Sequence, residues 1–368
     1  MILRKMLMFT GCVLLLGCGA QATDEADTDV NPFFVDYGTP FNVQPFDRID
    51  EGHFVPAFEE AMARQNAEIE AIASNPEPPT FDNTVAALDL SGELLDEVSR
   101  VFFALTGSNT NDELQEIQKQ ISPRLAAHRD EIQLNPALFD RIKTVYETRE
   151  SAGLDREQLF LVEHLYDRSV RNGALLSVDD QTRLKEINQR LSELRVEFSA
   201  NLLAETNAFK LVIENEADLA GLPPGVIETA AGTARREGLE NAWVFTTHKP
   251  SMLPFLTYAE NRDLREQLFT AYTVRGDQNN EHDNKTIVAE IINLRVEKAN
   301  LLGYETFAHY TLEPRMAGTP EDVYKLLDQL WDASLPVAKR EVAAMQAVID
   351  GEGGGFELAP WDWWYYAE

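Results

Sequence analysis

The sequence predicts a mainly α fold of long antiparallel helices with a very small β element, and three observations carry that expectation. Apolar residues recur at helical spacing: Leu184, Ile187, Leu191, Leu194, Phe198 and Leu202 are separated by 3, 4, 3, 4 and 4 positions and share one helix face. Helix starts carry capping signals. Breakers such as Asn75-Pro76-Glu77-Pro78-Pro79, Gly221-Leu222-Pro223-Pro224 and Gly351 to Gly355 divide the helical segments.

Taken in order, the helical pattern begins near Pro45. Thr110 with Glu113, and Ser177 with Asp180, read as capping boxes or their aspartate variant. Phe209 to Glu214 and Ala242 to Thr247 read as strands that flank a helix over about Gly225 to Glu237 and pair as a small sheet. Thr319-Pro320 caps a helix whose apolar residues are Val323, Leu326, Leu327, Leu330 and Trp331, and Pro336 is expected to end or kink it. The glycines at 351–355 have no lysine-serine or lysine-threonine pair after them, so they read as a connection and not a phosphate loop. No internal repeat is evident. The chain finishes on Trp361-Asp362-Trp363-Trp364-Tyr365-Tyr366-Ala367-Glu368, with three of the five tryptophans. Such side chains bury roughly 150–250 Å² each and need partners. The expectation is that the partner surface belongs to sequence beyond Glu368.

The N-terminus has a short basic region, Arg4 and Lys5, followed by an apolar run from Met6 to Leu16. That run is too short to span a bilayer and reads as a signal peptide. Leu15-Leu16-Gly17-Cys18 resembles the bacterial lipobox, which implies cleavage before Cys18 and its acylation. The plainer alternative is an ordinary secretory signal with an incidental cysteine. Gly19 stands where an inner-membrane retention signal has aspartate, so the expected location is the cell envelope, lipid-anchored at the outer membrane and facing the periplasm. Ala20 to Val30 is small and acidic, as suits a tether.

Composition narrows the function. With 62 acidic against 32 basic residues the chain carries −30, and no basic stripe exists to neutralise phosphates, so nucleic acid is excluded as a partner. Both cysteines, Cys12 and Cys18, precede residue 19, which leaves the body without a disulfide, a thiol nucleophile or a thiolate metal site. No Gly-x-Ser-x-Gly and no dinucleotide fingerprint occurs. Helical metallohydrolases commonly use His-Glu-x-x-His. Here no two of His53, His128, His164, His248, His282 and His309 are four apart, and none precedes glutamate. Three acidic-histidine groups remain: Glu163-His164 with Asp167, Glu281-His282-Asp283, and His309 with Glu305 and Glu313. Each reads better as a surface ion pair or cap than as a ligand set. The expectation is therefore no catalytic residue and no metal ligand in this chain.

Several local strings occur in a specific order. Pro45-Phe46-Asp47-Arg48-Ile49 and His53-Phe54-Val55-Pro56-Ala57-Phe58 come first, then Pro79-Thr80-Phe81-Asp82-Asn83-Thr84 and Val170-Arg171-Asn172-Gly173-Ala174-Leu175-Leu176-Ser177. Arg262-Asp263-Leu264-Arg265-Glu266, Arg275-Gly276 and Asp283-Asn284 follow, and Leu294-Arg295, Ala299, Leu301-Leu302-Gly303-Tyr304, Met316-Ala317 and Trp361-Asp362 complete the series. In order and spacing this resembles the N-terminal part of the thimet oligopeptidase family of zinc metallopeptidases, nearest the bacterial peptidyl-dipeptidases (dipeptidyl carboxypeptidases) and oligopeptidase A.

The resemblance implies a two-lobed helical peptidase-type fold around a channel, here only its N-terminal part. It implies short peptides as substrates and zinc as cofactor of the complete enzyme. It also implies a catalytic region lying beyond residue 368, so that this chain alone is inactive. The resulting organisation is a lipoprotein signal peptide over 1–17, an acidic flexible tether over 18–42, and the N-terminal helical region over 43–368. The motif residues have structural readings as well: Asn83-Thr84 as a helix start, and Gly303 as a turn between helices. Arg262, Arg265 and Arg295 can face a substrate carboxylate, or pair within the chain with neighbours such as Asp263 and Glu266. The alternative function is a non-catalytic helical lipoprotein that binds peptides or a partner protein.

Overall fold

The computed structural model describes residues 30–367. Its helices are α1 (Phe54–Ala73), α2 (Ala87–Asp89), α3 (Glu93–Ser108), α4 (Asp112–Gln133), α5 (Pro136–Thr148), α6 (Arg156–Arg171) and α7 (Val178–Ala208). After them come α8 (Pro224–Arg236), α9 (Lys249–Tyr258), α10 (Arg262–Thr273), α11 (Lys285–Leu301), α12 (Phe307–Leu312), α13 (Pro320–Gly351) and α14 (Trp363–Ala367). Strands β1 (Leu211–Ile213) and β2 (Trp243–Phe245) form an antiparallel pair with Val212 opposite Val244, and α8 connects them. The mainly α expectation and the small sheet both hold. Among the described residues no helix is long and apolar enough to cross a membrane.

Three apolar clusters organise the chain. The first joins Phe33, α1, α3 and α4 around Phe54, Phe58 and Phe102, whose rings meet edge-on at 5.0 and 5.4 Å. The second lies where the end of α1 meets α5 and α6, around Ile72, Ile142 and Val162. The third gathers β1, β2, α8, α9 and α10 around Phe245, Phe255 and Leu256. Helix α7 packs along α4 and α11. Leu184, Ile187, Leu191 and Leu194 are buried on it, as their spacing requires, while Phe198 and Leu202 are half-buried further along.

The caps follow the sequence with one shift. Ser177 Oγ accepts the Asp180 N–H at 3.2 Å, and Thr319 Oγ1 accepts the Asp322 N–H at 3.2 Å, each starting its helix. At α4 the cap is Asn111, not Thr110: Asn111 Oδ1 accepts the Leu114 N–H at 2.8 Å. An asparagine amide does the work of the Thr110 hydroxyl, which is buried with no partner. Gly303 has φ +83°, and the Tyr304 N–H donates to Ala299 O at 2.9 Å, closing α11 in a left-handed turn.

Four further differences matter. Helix α13 continues through Pro336 to Gly351, because a proline costs one helical hydrogen bond and thirty-one other residues sustain the rest. The apolar residues of its first half are exposed, with Leu326, Leu327, Leu330 and Trp331 each retaining half or more of their surface. The packed body begins near Asn31 and not at residue 43: Phe33 is buried, with its ring 5.7 Å from that of Phe54. Finally, the aromatic segment Trp361 to Tyr366 finds partners inside this chain. Trp364 packs on Phe269 at 6.0 Å, and Tyr366 lies 6.4 Å from Phe356. Cys18 and the signal-peptide residues lie outside the described residues.

Candidate functional site

The strings singled out in the sequence meet one another as clasps between distant elements. On α5, Arg141 is buried and donates to Asn75 O at 2.8 Å, Glu77 O at 3.1 Å, Asn83 Oδ1 at 3.0 Å and Thr84 Oγ1 at 3.2 Å. Asn83 also reciprocates the Thr80 cap, so that motif is a helix start, beginning at Phe81. At the end of α6, Arg171 donates to Tyr304 Oη at 3.0 Å and pairs with Glu313, while Tyr304 Oη donates to Glu313 Oε2 at 2.6 Å. On α7, Glu205 is buried and accepts the Gly276 N–H and the Asn280 amide. Asn284 beside it donates to Phe198 O at 3.1 Å. Burial pushes the Glu205 carboxyl up, but these donors outweigh it and hold it below the ordinary glutamate value.

Of the three arginines expected either to meet substrate or to pair locally, Arg262 and Arg265 pair, with a different partner. Arg265 is buried and donates to Asp362 Oδ1 at 2.8 Å. Arg262 reaches Asp362 Oδ2 at 2.9 Å. Asp263 and Glu266 are not the partners, because they lie beside the arginines on α10 while the interior side of that helix faces Asp362. The third arginine, Arg295, stacks 5.1 Å from the Phe307 ring.

A trough along the seam of α4 and α7 was not legible in advance. It comprises a cavity of about 400 Å³ and a contiguous one of about 330 Å³ that shares Phe103, Gln118, Val196 and Ser199 with it. Amide and hydroxyl side chains line it from both helices, including Ser122 and Gln133 on α4 and Asn188 and Ser192 on α7. Its stretch of α4 from Gln115 to Gln133 is about 27 Å long at 1.5 Å per residue. At one end Lys298 Nζ donates to Asn188 Oδ1 at 2.6 Å, and Asn188 Nδ2 donates to Asp130 Oδ1 at 2.9 Å. Burial raises the Asp130 carboxyl and lowers the Lys298 ammonium. The available signal was Asp130 itself, a buried charge on the side of α4 opposite Ile117, Ile121 and His128.

The histidines do not converge. His164 stacks on Phe160, His128 Nε2 lies 2.7 Å from Gln65 Oε1, and His53 Nδ1 accepts the Asp50 N–H at 3.0 Å. His248 Nδ1 is 3.1 Å from Thr246 Oγ1. His282 lies 3.8 Å from Glu281, and His309 lies 3.9 Å from Glu305, while Glu313 is drawn off to Arg171. Among the described residues no group of three or more potential metal ligands assembles.

Residues 255–368 match the model of Peptidase family M3. The chain is also 40% identical to Dipeptidyl carboxypeptidase of Escherichia coli (strain K12) over 93% of its own length and 50% of that protein's. Over residues 255–368 the chain is similar to peptidase family M3. A second relative, Oligopeptidase A of Haemophilus influenzae, is 32% identical over 92% of this chain and 49% of its own length. Saccharolysin of Saccharomyces cerevisiae is 26% identical over 74% and 38%. The chain thus spans about half the length of the first two of these curated relatives.

Proposed function

We propose that the chain forms a substrate-binding wall of a zinc-dependent oligopeptidase of the peptidyl-dipeptidase or oligopeptidase A kind. The metal ligands then belong to the part of the relatives' length that this chain does not span. The observation that carries the reading is the 40% identity to Dipeptidyl carboxypeptidase sustained over 93% of the chain. The trough adds a physical reason. Its length of about 27 Å accommodates roughly eight extended residues at about 3.3 Å each, and its amide and hydroxyl lining suits a peptide backbone. No hydrolytic step is assigned to a residue of this chain, which binds and orients peptide but does not cleave it alone. The same reading places the protein on a lipid anchor at Cys18, at the outer membrane and facing the periplasm.

The test is hydrolysis of a short peptide by the purified chain, alone and with a polypeptide supplying the remaining half of an M3 enzyme. The expected result is chelator-sensitive cleavage only in the combined sample. Chelator-sensitive cleavage by the chain alone overturns the reading. Metabolic labelling with a radioactive fatty acid, lost in Cys18→Ser, tests the anchor.

The exposed apolar face of α13 favours a second reading, a non-catalytic helical lipoprotein that binds a partner protein. Copurification of a chain that carries no zinc and confers no peptidase activity supports that reading over the first.

A further inference from the structure

The lining of the larger cavity is out of keeping with the rest of the molecule. The protein carries −30, yet Arg129, Arg195 and Lys298 converge here around the single carboxylate of Asp130. All three cations are close enough that Arg129 and Arg195 both act on the Lys298 ammonium. Asp130 can offset only one of the three charges. Both its oxygens accept from the Asn188 amide, at 2.9 and 3.0 Å, and burial raises its carboxyl against the pull of Lys298 and Arg129. Among the described residues neither Arg129 nor Arg195 has an ion pair or a hydrogen bond. Three cations around one carboxylate leave this cavity with excess positive charge, which a bound anion offsets. Guanidinium keeps its charge at any physiological pH, and its planar fork matches the two oxygens of a carboxylate.

We propose that this end of the trough is a carboxylate-binding site in which Arg129 and Arg195 hold the anion and Lys298 stands behind it, with the Asn172 amide on the same wall. A volume of about 400 Å³ limits the ligand to a small acid or the end of a chain. The carboxylate can come from a peptide C-terminus or from a free small dicarboxylic acid. The site does not depend on the peptidase reading, since binding here requires no cleavage.

The purified full chain is titrated calorimetrically with N-acetyl tetra-alanine as the free acid, with its C-terminal amide, and with succinate. Arg129→Gln, Arg195→Gln and the double variant are compared with wild type. Both arginines are exposed, so melting temperatures stay unchanged in the variants. Each single variant weakens binding by about tenfold or more, the double variant abolishes it, and Arg195→Lys retains part of it. Tighter binding of the free-acid peptide than of its amide identifies a peptide terminus as the source; binding of succinate alone identifies a free acid. Both support the site. Absence of binding by all three ligands, or binding that the double variant leaves unchanged, overturns it.

Discussion

Arg265 Nη2 lies 2.8 Å from Asp362 Oδ1 in a contact from which both side chains exclude water. The pair joins α10 to the Trp361-Asp362 turn across 97 residues of sequence. Asp362 also receives Arg262 and the Ala359 N–H, the latter at 3.0 Å, so one carboxylate ties down two guanidiniums and its own turn. Removing one partner of such a pair costs about 3–5 kcal/mol because the remaining charge stays buried. Asp362→Ala is expected to lose stability on that scale in urea unfolding, and Arg262→Ala, whose side chain is partly exposed, to lose distinctly less.

The Glu205 clasp gives a pH dependence with a definite sign. Its folded carboxyl lies below the ordinary glutamate value, so it contributes stability above that value and loses it as pH falls through the folded one. Asp283 next to it is held down to about 2 by its bonds with Lys285, so its own contribution is lost between about pH 4 and pH 2. Glu205→Gln should flatten the upper part of the acid limb of melting temperature against pH and leave the lowest part, belonging to Asp283, in place.

Asn188 relays between Lys298 and Asp130, donating to one and accepting from the other. Asn188→Ala strands both, at a cost of about 1–3 kcal/mol. A double-mutant cycle of Asp130→Ala with Asn188→Ala is expected to be clearly less than additive, because the second change removes an interaction the first has already lost.

The exposed face of α13 predicts an effect on association without one on stability. Leu327→Arg with Trp331→Arg replaces side chains that are already mostly in water. Unfolding midpoints should stay within about 0.5 kcal/mol of wild type, while binding of an apolar dye such as anilinonaphthalene sulfonate falls.

The helices, the small sheet and most caps were legible because periodicity and capping are local. Leu184, Ile187, Leu191 and Leu194 reveal their face from spacing alone, and Ser177 and Thr319 reveal their helix starts from one turn of sequence. What was not legible is set by tertiary placement. Asp263 and Glu266 sit near Arg262 and Arg265 in sequence, yet Asp362 is nearer in space. Trp364 appears unpartnered in the sequence until α10 brings Phe269 against it. The cationic end of the trough draws Arg129, Arg195 and Lys298 from three helices, and no spacing rule connects them.

Helix α13 is about 48 Å long at 1.5 Å per residue over 32 residues. It buries Met345 and Ile349 near one end, and it packs on α12 and α14, the helices that flank it in sequence. Mechanically it is a beam held near its ends. Pro336, lacking its N–H, falls in the span between them, where Leu330, Trp331, Val337 and Val342 stay open to solvent. The softest joint of the beam therefore coincides with its least supported length. Flexure is concentrated at one turn, and the segments on either side can tilt against each other without unwinding.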